Sequence, residues 1–196
     1  MFLSRPILAV LAALPLAFAP ARAADLPRQA PELVINTTGG TPIKLSQYRG
    51  KVVAVCFILT TCPHCQKTIG LLIPMQNEYG PRGFQVLASA IEQGAAFALP
   101  RFLQTFNPPF PVGFNDPSVA IDFMQHPAML VPMMPMLAFV DRQGKIRDQH
   151  EGNDEKFFED QQEQNIRKQI EALLNPAPGA QKKSPPKKAG TVKKSN

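Results

Sequence analysis

Val52-Val53-Ala54-Val55-Cys56-Phe57-Ile58-Leu59-Thr60-Thr61-Cys62-Pro63-His64-Cys65 is the stretch that decides the fold. Val52 to Leu59 is continuously apolar and rich in valine, the mark of a strand buried on both faces. Thr60-Thr61-Cys62 breaks the run, and Pro63 suits the first position of a helix, where its missing N–H costs nothing. Cys62 therefore sits where a strand hands over to a helix. There the helix dipole and free N–H groups stabilise a thiolate, the species that attacks disulfides. Two thiols spaced C-x-x-C close a small ring with little backbone rearrangement. The pair reads first as a redox couple and only second as half of a metal site.

Downstream, a helix is predicted from Pro63 to about Tyr79, with Ile69, Leu72, Ile73 and Gln76 on one side. Gly70 and Pro74 both oppose a straight helix, so a kink or break near Pro74 is expected. A turn at Gly80–Gly83 leads to a strand over Phe84–Ile91 and a helix over Ala95–Phe106, with Pro100 its weak point. A short strand follows over Phe110–Phe114. Asp116-Pro117 carries the cap and first-position signature of a helix reaching about Met124. The loop Gln125–Met134 is dense in Met and Pro. Met136–Val140 and Lys145–His150 form a hairpin about the turn Asp141–Gly144, and one last helix is predicted from about Asp154 to Leu174. Upstream, Glu32–Asn36 and Pro42–Leu45 flank a Thr-Thr-Gly-Gly turn and read as a β-hairpin. Ser46–Gly50 is a short helical step ending on glycine. Strands alternating with helices, closed by a hairpin and a helix, make an α/β sandwich.

The ends of the chain differ in character from this body. Of 196 residues, the first 23 hold an early Arg5, an apolar run over Pro6–Ala19, and Ala21-Arg22-Ala23, a small-x-small cleavage signal. These features predict an exported protein, periplasmic or otherwise outside the cytoplasm, cut near Ala23. Residues 176–196 hold six lysines, several prolines and almost no large apolar residue, so a disordered Lys/Pro-rich tail is expected. The formal charge of +6 comes from that tail and from Arg5 and Arg22, which leaves residues 24–175 at −2. A basic surface for nucleic acid is not supported. Three cysteines, two of them in one C-x-x-C, do not make a disulfide scaffold.

The segments Pro31-Glu32-Leu33 through Leu45-Ser46, Gly50-Lys51-Val52-Val53, Cys62-Pro63-His64-Cys65 and Pro135–Ile146 carry a resemblance to the thioredoxin superfamily. The likeness is closest to the exported TlpA- and ResA-like thiol-disulfide oxidoreductases, whose redoxin-type N-terminal layout peroxiredoxins share. It implies a thioredoxin fold: a central mixed β-sheet flanked by helices, with an N-terminal β-hairpin extension. It also implies thiol-disulfide exchange with protein thiols or disulfides, served by a membrane or soluble redox partner. No bound cofactor or metal is implied, and the chain is expected to act as a monomer. By that likeness Cys62 is the attacking thiol and Cys65 the resolving one. Pro135 aligns with the family's cis-proline, whose loop packs against the disulfide and presents backbone to the substrate; Pro132 is the competing position. Substrates by likeness include apocytochrome c thiols.

Two residues leave alternatives open. His64 either stabilises the neighbouring thiolate and makes the disulfide more oxidising, as in DsbA-like oxidases with the same motif, or simply faces solvent. The scaffold points to a reductase and this dipeptide to an oxidant. Cys56 stands six residues before Cys62, where thioredoxins carry a buried acid. It is either a small buried core residue or a third thiol able to trap Cys65.

Two rival functions start from the same residues. A peroxiredoxin-like antioxidant thiol peroxidase needs Thr or Ser three residues before its cysteine, and this chain has Leu59 there. A copper-binding redox chaperone would use Met124, Met129, Met133, Met134, Met136 and His126 as soft ligands beside the cysteines. The competing reading is an adaptable apolar groove lined by the same methionines. His150, on the closing strand, reads as structural, and Asp141 and Gly144 as turn residues.

Overall fold

A computed structural model describes residues 25–127, 129–159 and 161–176. The predicted leader (1–23) and the predicted tail beyond Pro176 lie outside the described residues.

The apolar run becomes strand β4, Val52–Ile58, after three short N-terminal strands: β1, Arg28–Gln29; β2, Val34–Ile35; and β3, Ile43–Lys44. All seven residues of β4 are buried. It runs through the middle of a six-stranded sheet of order β1-β8-β7-β4-β5-β6, where β5 is Phe84–Ala90, β6 Val112–Phe114, β7 Met136–Val140 and β8 Lys145–His150. β4 pairs parallel with β5 and antiparallel with β7, so the sheet is mixed. Because strand side chains alternate, Val52, Ala54, Cys56 and Ile58 face one core and Val53, Val55 and Phe57 the other.

The first core is roofed by α1 (Pro63–Tyr79), α2 (Ala95–Phe106), α4 (Glu155–Phe158) and α5 (Gln162–Leu174). The second is covered by α3 (Pro117–Met124) and the N-terminal segment through Leu33, Ile35 and Leu45. A central mixed sheet flanked by helices, with a separate β2–β3 hairpin, matches the predicted architecture. The hairpin is shorter than its sequence suggested. β1, which no local signal announced, closes the sheet edge by pairing with β8 through Arg28–Ile146.

Two helices depart from expectation. α1 runs unbroken through Pro74. Pro74 and Gly70 both lie on its exposed side, while Cys65, Ile69, Leu72, Met75 and Tyr79 form a continuous buried stripe. The carbonyl deprived of its partner by Pro74 is that of Gly70, which water can satisfy, so packing outweighs the break. α2 likewise continues through its exposed Pro100. The last helix is two helices, not one. Glu159 leaves helical geometry at φ −84° and ψ −121°. The Asn165 carboxamide donates to the carbonyls of Lys156 (2.9 Å) and Phe157 (3.1 Å), ending α4. α5 starts where buried Gln162 donates to the Thr68 hydroxyl on α1 at 2.7 Å.

Candidate active site

Register alone gathers the site at one end of the sheet. Ile58, the last residue of β4, lies opposite Ala90, the last of β5, and Met136, the first of β7, lies opposite Phe57. Three segments therefore leave the sheet side by side: Leu59–Cys62 from β4, Ile91–Gly94 from β5, and the chain entering β7 at Pro135.

Cys62 is the N-cap residue of α1, with extended backbone at φ −77° and ψ 120°. Its sulfur accepts the Cys65 N–H at 3.4 Å. Cys62 is half-buried and Cys65 fully buried behind it, both as free thiols. Leu59 brackets the pair: its carbonyl accepts the Cys62 N–H at 3.2 Å and its own N–H donates to the Cys65 sulfur at 3.5 Å. Burial pushes the Cys65 thiol well above the ordinary range, and the nearby Cys56 and Cys62 sulfurs push the same way. The Leu59 N–H works against them without cancelling them. One reachable sulfur in front of one buried protonated sulfur is the asymmetry that a two-step thiol exchange requires.

Cys56 shares the core that holds Cys65, two residues before Ile58 on the same face of β4, and is fully buried. Burial raises its thiol to about 12, so at neutral pH it is an inert core group.

His64 is exposed on the first turn of α1. It lines a cleft with Lys67, Glu155, Phe158 and Glu159, so the short helix α4 forms the facing wall. The Met134–Pro135 bond is cis, and Pro135 is buried. The loop before it is pinned from the far side of the site, where Gly152 donates its N–H to the Met133 carbonyl at 2.9 Å.

Several contributors were not singled out by sequence. Glu92, just past β5, accepts both the N–H of Thr60 at 2.9 Å and the Thr60 hydroxyl through Oε1. Gln66, one turn into α1, donates to the Thr60 carbonyl at 2.9 Å. Together they hold the approach to Cys62. A single acid in a turn carries no local signal of such a role. Gly152 also gave no sign, since its close approach to Met134 exists only in the folded chain.

The methionines differ in environment, and half-buried Met134 packs at the edge of both cores. Met124 and Met136 are fully buried on α3 and β7, while Met129 is 91% and Met133 48% exposed. His126 is committed to the Glu151 carboxylate at 2.8 Å and the Leu130 carbonyl at 3.1 Å. Among the described residues that placement lends the copper reading no support. The position a peroxidase would fill with a hydroxyl is Leu59, and the next hydroxyl, that of Thr60, is held by Glu92. His150 is structural: its ring stacks on Phe157 at 3.5 Å and its Nδ1 lies 2.7 Å from Asp154.

Residues 27–170 match the model of the family described as Redoxin. The thiol-disulfide oxidoreductase ResA of Bacillus thuringiensis is 23% identical over 132 residues, covering 67% of this chain and 73% of that protein. ResA of Bacillus subtilis is 25% identical over 117 residues, 60% of this chain and 62% of its own. Among solved structures, a Chlorobium tepidum protein assigned as the thiol:disulfide interchange protein DsbE superimposes with a TM-score of 0.65. It is 26% identical and covers 77% of this chain and 99% of its own. The fold is thus thioredoxin-like.

Proposed function

The chain belongs to the Redoxin family, and from that premise we propose that it is a thiol-disulfide oxidoreductase acting on protein substrates through Cys62 and Cys65. The observation that carries the reading is the half-buried Cys62 sulfur at the start of α1 with the buried Cys65 sulfur directly behind it. Its relatives' names, thiol-disulfide oxidoreductase and thiol:disulfide interchange protein, support the same chemistry.

In the reducing direction, the Cys62 thiolate attacks one sulfur of a substrate disulfide. A Cys62–substrate bond forms, the substrate S–S bond breaks, and its other sulfur leaves as a thiolate that takes up a proton. Cys65, once deprotonated, attacks the Cys62 sulfur and expels the second substrate thiol. The pair loses two electrons and the substrate gains two. The oxidising direction is the same sequence reversed. Pro135 enters this reading as the residue whose loop offers backbone to the substrate, and His64 as the residue that sets the redox poise beside Cys62. The apolar run over residues 6–19 and the Ala21-Arg22-Ala23 cleavage signal support export, with residues 24–175 as the working domain.

The deciding experiment equilibrates the protein with glutathione and follows the Cys62–Cys65 couple. A potential near −270 mV assigns a reductase and one near −120 mV an oxidase. Cys65→Ser should accumulate a mixed disulfide with substrate protein, and Cys62→Ser should form none. A Cys62→Ser protein with undiminished exchange would end the reading.

A further inference from the structure

Beside Cys62 the surface opens into a groove of about 630 Å³ between the Thr60–Thr61 loop and the outer face of α2. Its placement is unusual for an amphipathic helix. α2 turns Leu99 and Phe102 into the core, as expected, yet it holds Phe97 out at 91% exposure. Phe97 therefore contributes almost nothing to folding, while a ring of that size gains by being covered. The floor is aromatic, since Phe102 and Phe106 pack with ring centres 4.6 Å apart.

The rim carries one cation, Arg101, exposed and lining the groove. Among the described residues its guanidinium has no ion pair or side-chain hydrogen bond. In a body of net charge −2, an unpaired arginine on an aromatic groove marks where a carboxylate is welcome and a lysine is not. Thr61, in the groove wall, directly precedes Cys62, so a chain bonded through sulfur to Cys62 has its neighbouring residues within reach.

We propose that this groove is a docking site for the substrate polypeptide, selecting a large apolar side chain together with a carboxylate a few residues from the reacting cysteine. The inference rests on the exchange reading above and extends it to substrate choice. Phe97 and the Phe102–Phe106 floor bury the apolar side chain, and Arg101 pairs with the carboxylate and fixes the direction in which the chain runs.

The test uses the reduced full-length protein and synthetic peptides, each carrying one cysteine as a mixed disulfide with 2-mercaptoethanol. Each reaction converts the Cys62–Cys65 dithiol to its disulfide and the peptide disulfide to two thiols. One peptide places Phe and Glu near the cysteine, a second Ala and Glu, a third Phe and Lys. The Phe/Glu peptide should react about tenfold faster than either of the others, the scale of one partly buried ring or one well-placed ion pair. Phe97→Ala should erase the Phe-over-Ala preference, and Arg101→Glu should invert the Glu-over-Lys preference. Both variants should react with bis(2-hydroxyethyl) disulfide, which carries neither a ring nor a carboxylate, at the wild-type rate. Equal rates for all three peptides, or preferences that survive both substitutions, overturn the proposal. A self-association that Phe97→Ala abolishes also overturns it, by giving the groove to a second copy. Failure of the wild type to react with bis(2-hydroxyethyl) disulfide refutes the exchange reading instead, so the two failures are distinguishable.

Discussion

The backbone N–H of Leu59 donates to the sulfur of Cys65 at 3.5 Å, so the residue just past strand β4 touches the buried thiol. That contact favours the thiolate, but burial, the larger effect, holds Cys65 protonated well beyond neutral pH. Release of a mixed disulfide from Cys62 should therefore be limited by the scarce Cys65 thiolate. Its rate should climb about tenfold per pH unit between pH 7 and 9, following the thiolate fraction. Stopped-flow measurement of the second exchange step checks this, and a flat profile would contradict it.

Cys56, buried with its thiol raised to about 12, should behave as a core side chain. Cys56→Ala should cost on the order of 1 kcal/mol for the small void. Cys56→Ser should cost about 1–3 kcal/mol, because the new hydroxyl has no designed partner. Neither should change the exchange rate of the folded protein. Denaturant unfolding and peptide mapping of the oxidised chain decide the matter: a Cys56–Cys65 bridge in any fraction would show a third participating thiol.

Gly152 donates to the Met133 carbonyl, and a Cβ at Gly152 would collide with the Met134 carbonyl. Both atoms it would strike are backbone. Gly152→Ala should thus shift the loop leading to Pro135, lowering stability by about 1–3 kcal/mol. Protein-disulfide exchange should slow more than exchange with glutathione disulfide. Equal slowing of the two would indicate general destabilisation only.

His126 has an acceptor on each ring nitrogen, the Glu151 carboxylate and the Leu130 carbonyl, and only the doubly protonated ring can donate to both. Burial pulls its pKa down, yet the hydrogen bonds to Glu151 and Leu130 and the charge of Glu151 outweigh that, and the net shift is upward. A folded-state pKa above the unfolded value of about 6.5 means the stabilisation is whole below that pH and fades as pH rises through the folded value. His126→Gln should accordingly cost most stability near pH 5.5 and least near pH 8.5. Paired urea titrations at the two pH values measure it. His150, raised similarly beside Asp148 and Asp154, remains in both proteins and cancels in the difference.

Much of this molecule was readable before folding. The buried strand, the Pro63 helix start after Cys62, the Asp116 cap and the Asp141–Gly144 hairpin all appear where composition and turn chemistry put them. Each depends on residues within one turn or one strand of each other. Apolar runs, a proline without an N–H and an aspartate accepting from the Ser118 amide act locally, whatever the rest of the chain does.

What the sequence by itself determined, then, was the chemistry: two thiols at a strand-to-helix junction, one of them capping the helix. Tertiary structure alone decided how that chemistry is presented. It carried α1 past Pro74, split the final helix at Glu159, and brought Glu92 to Thr60 and Gly152 to Met133. It also scattered the methionines and left Phe97 and Arg101 on the rim beside Cys62. Most of these outcomes join residues more than two helical turns apart in the chain. They follow from burying a whole helix face or satisfying a buried backbone group, and those energies exceed the propensity of any single residue.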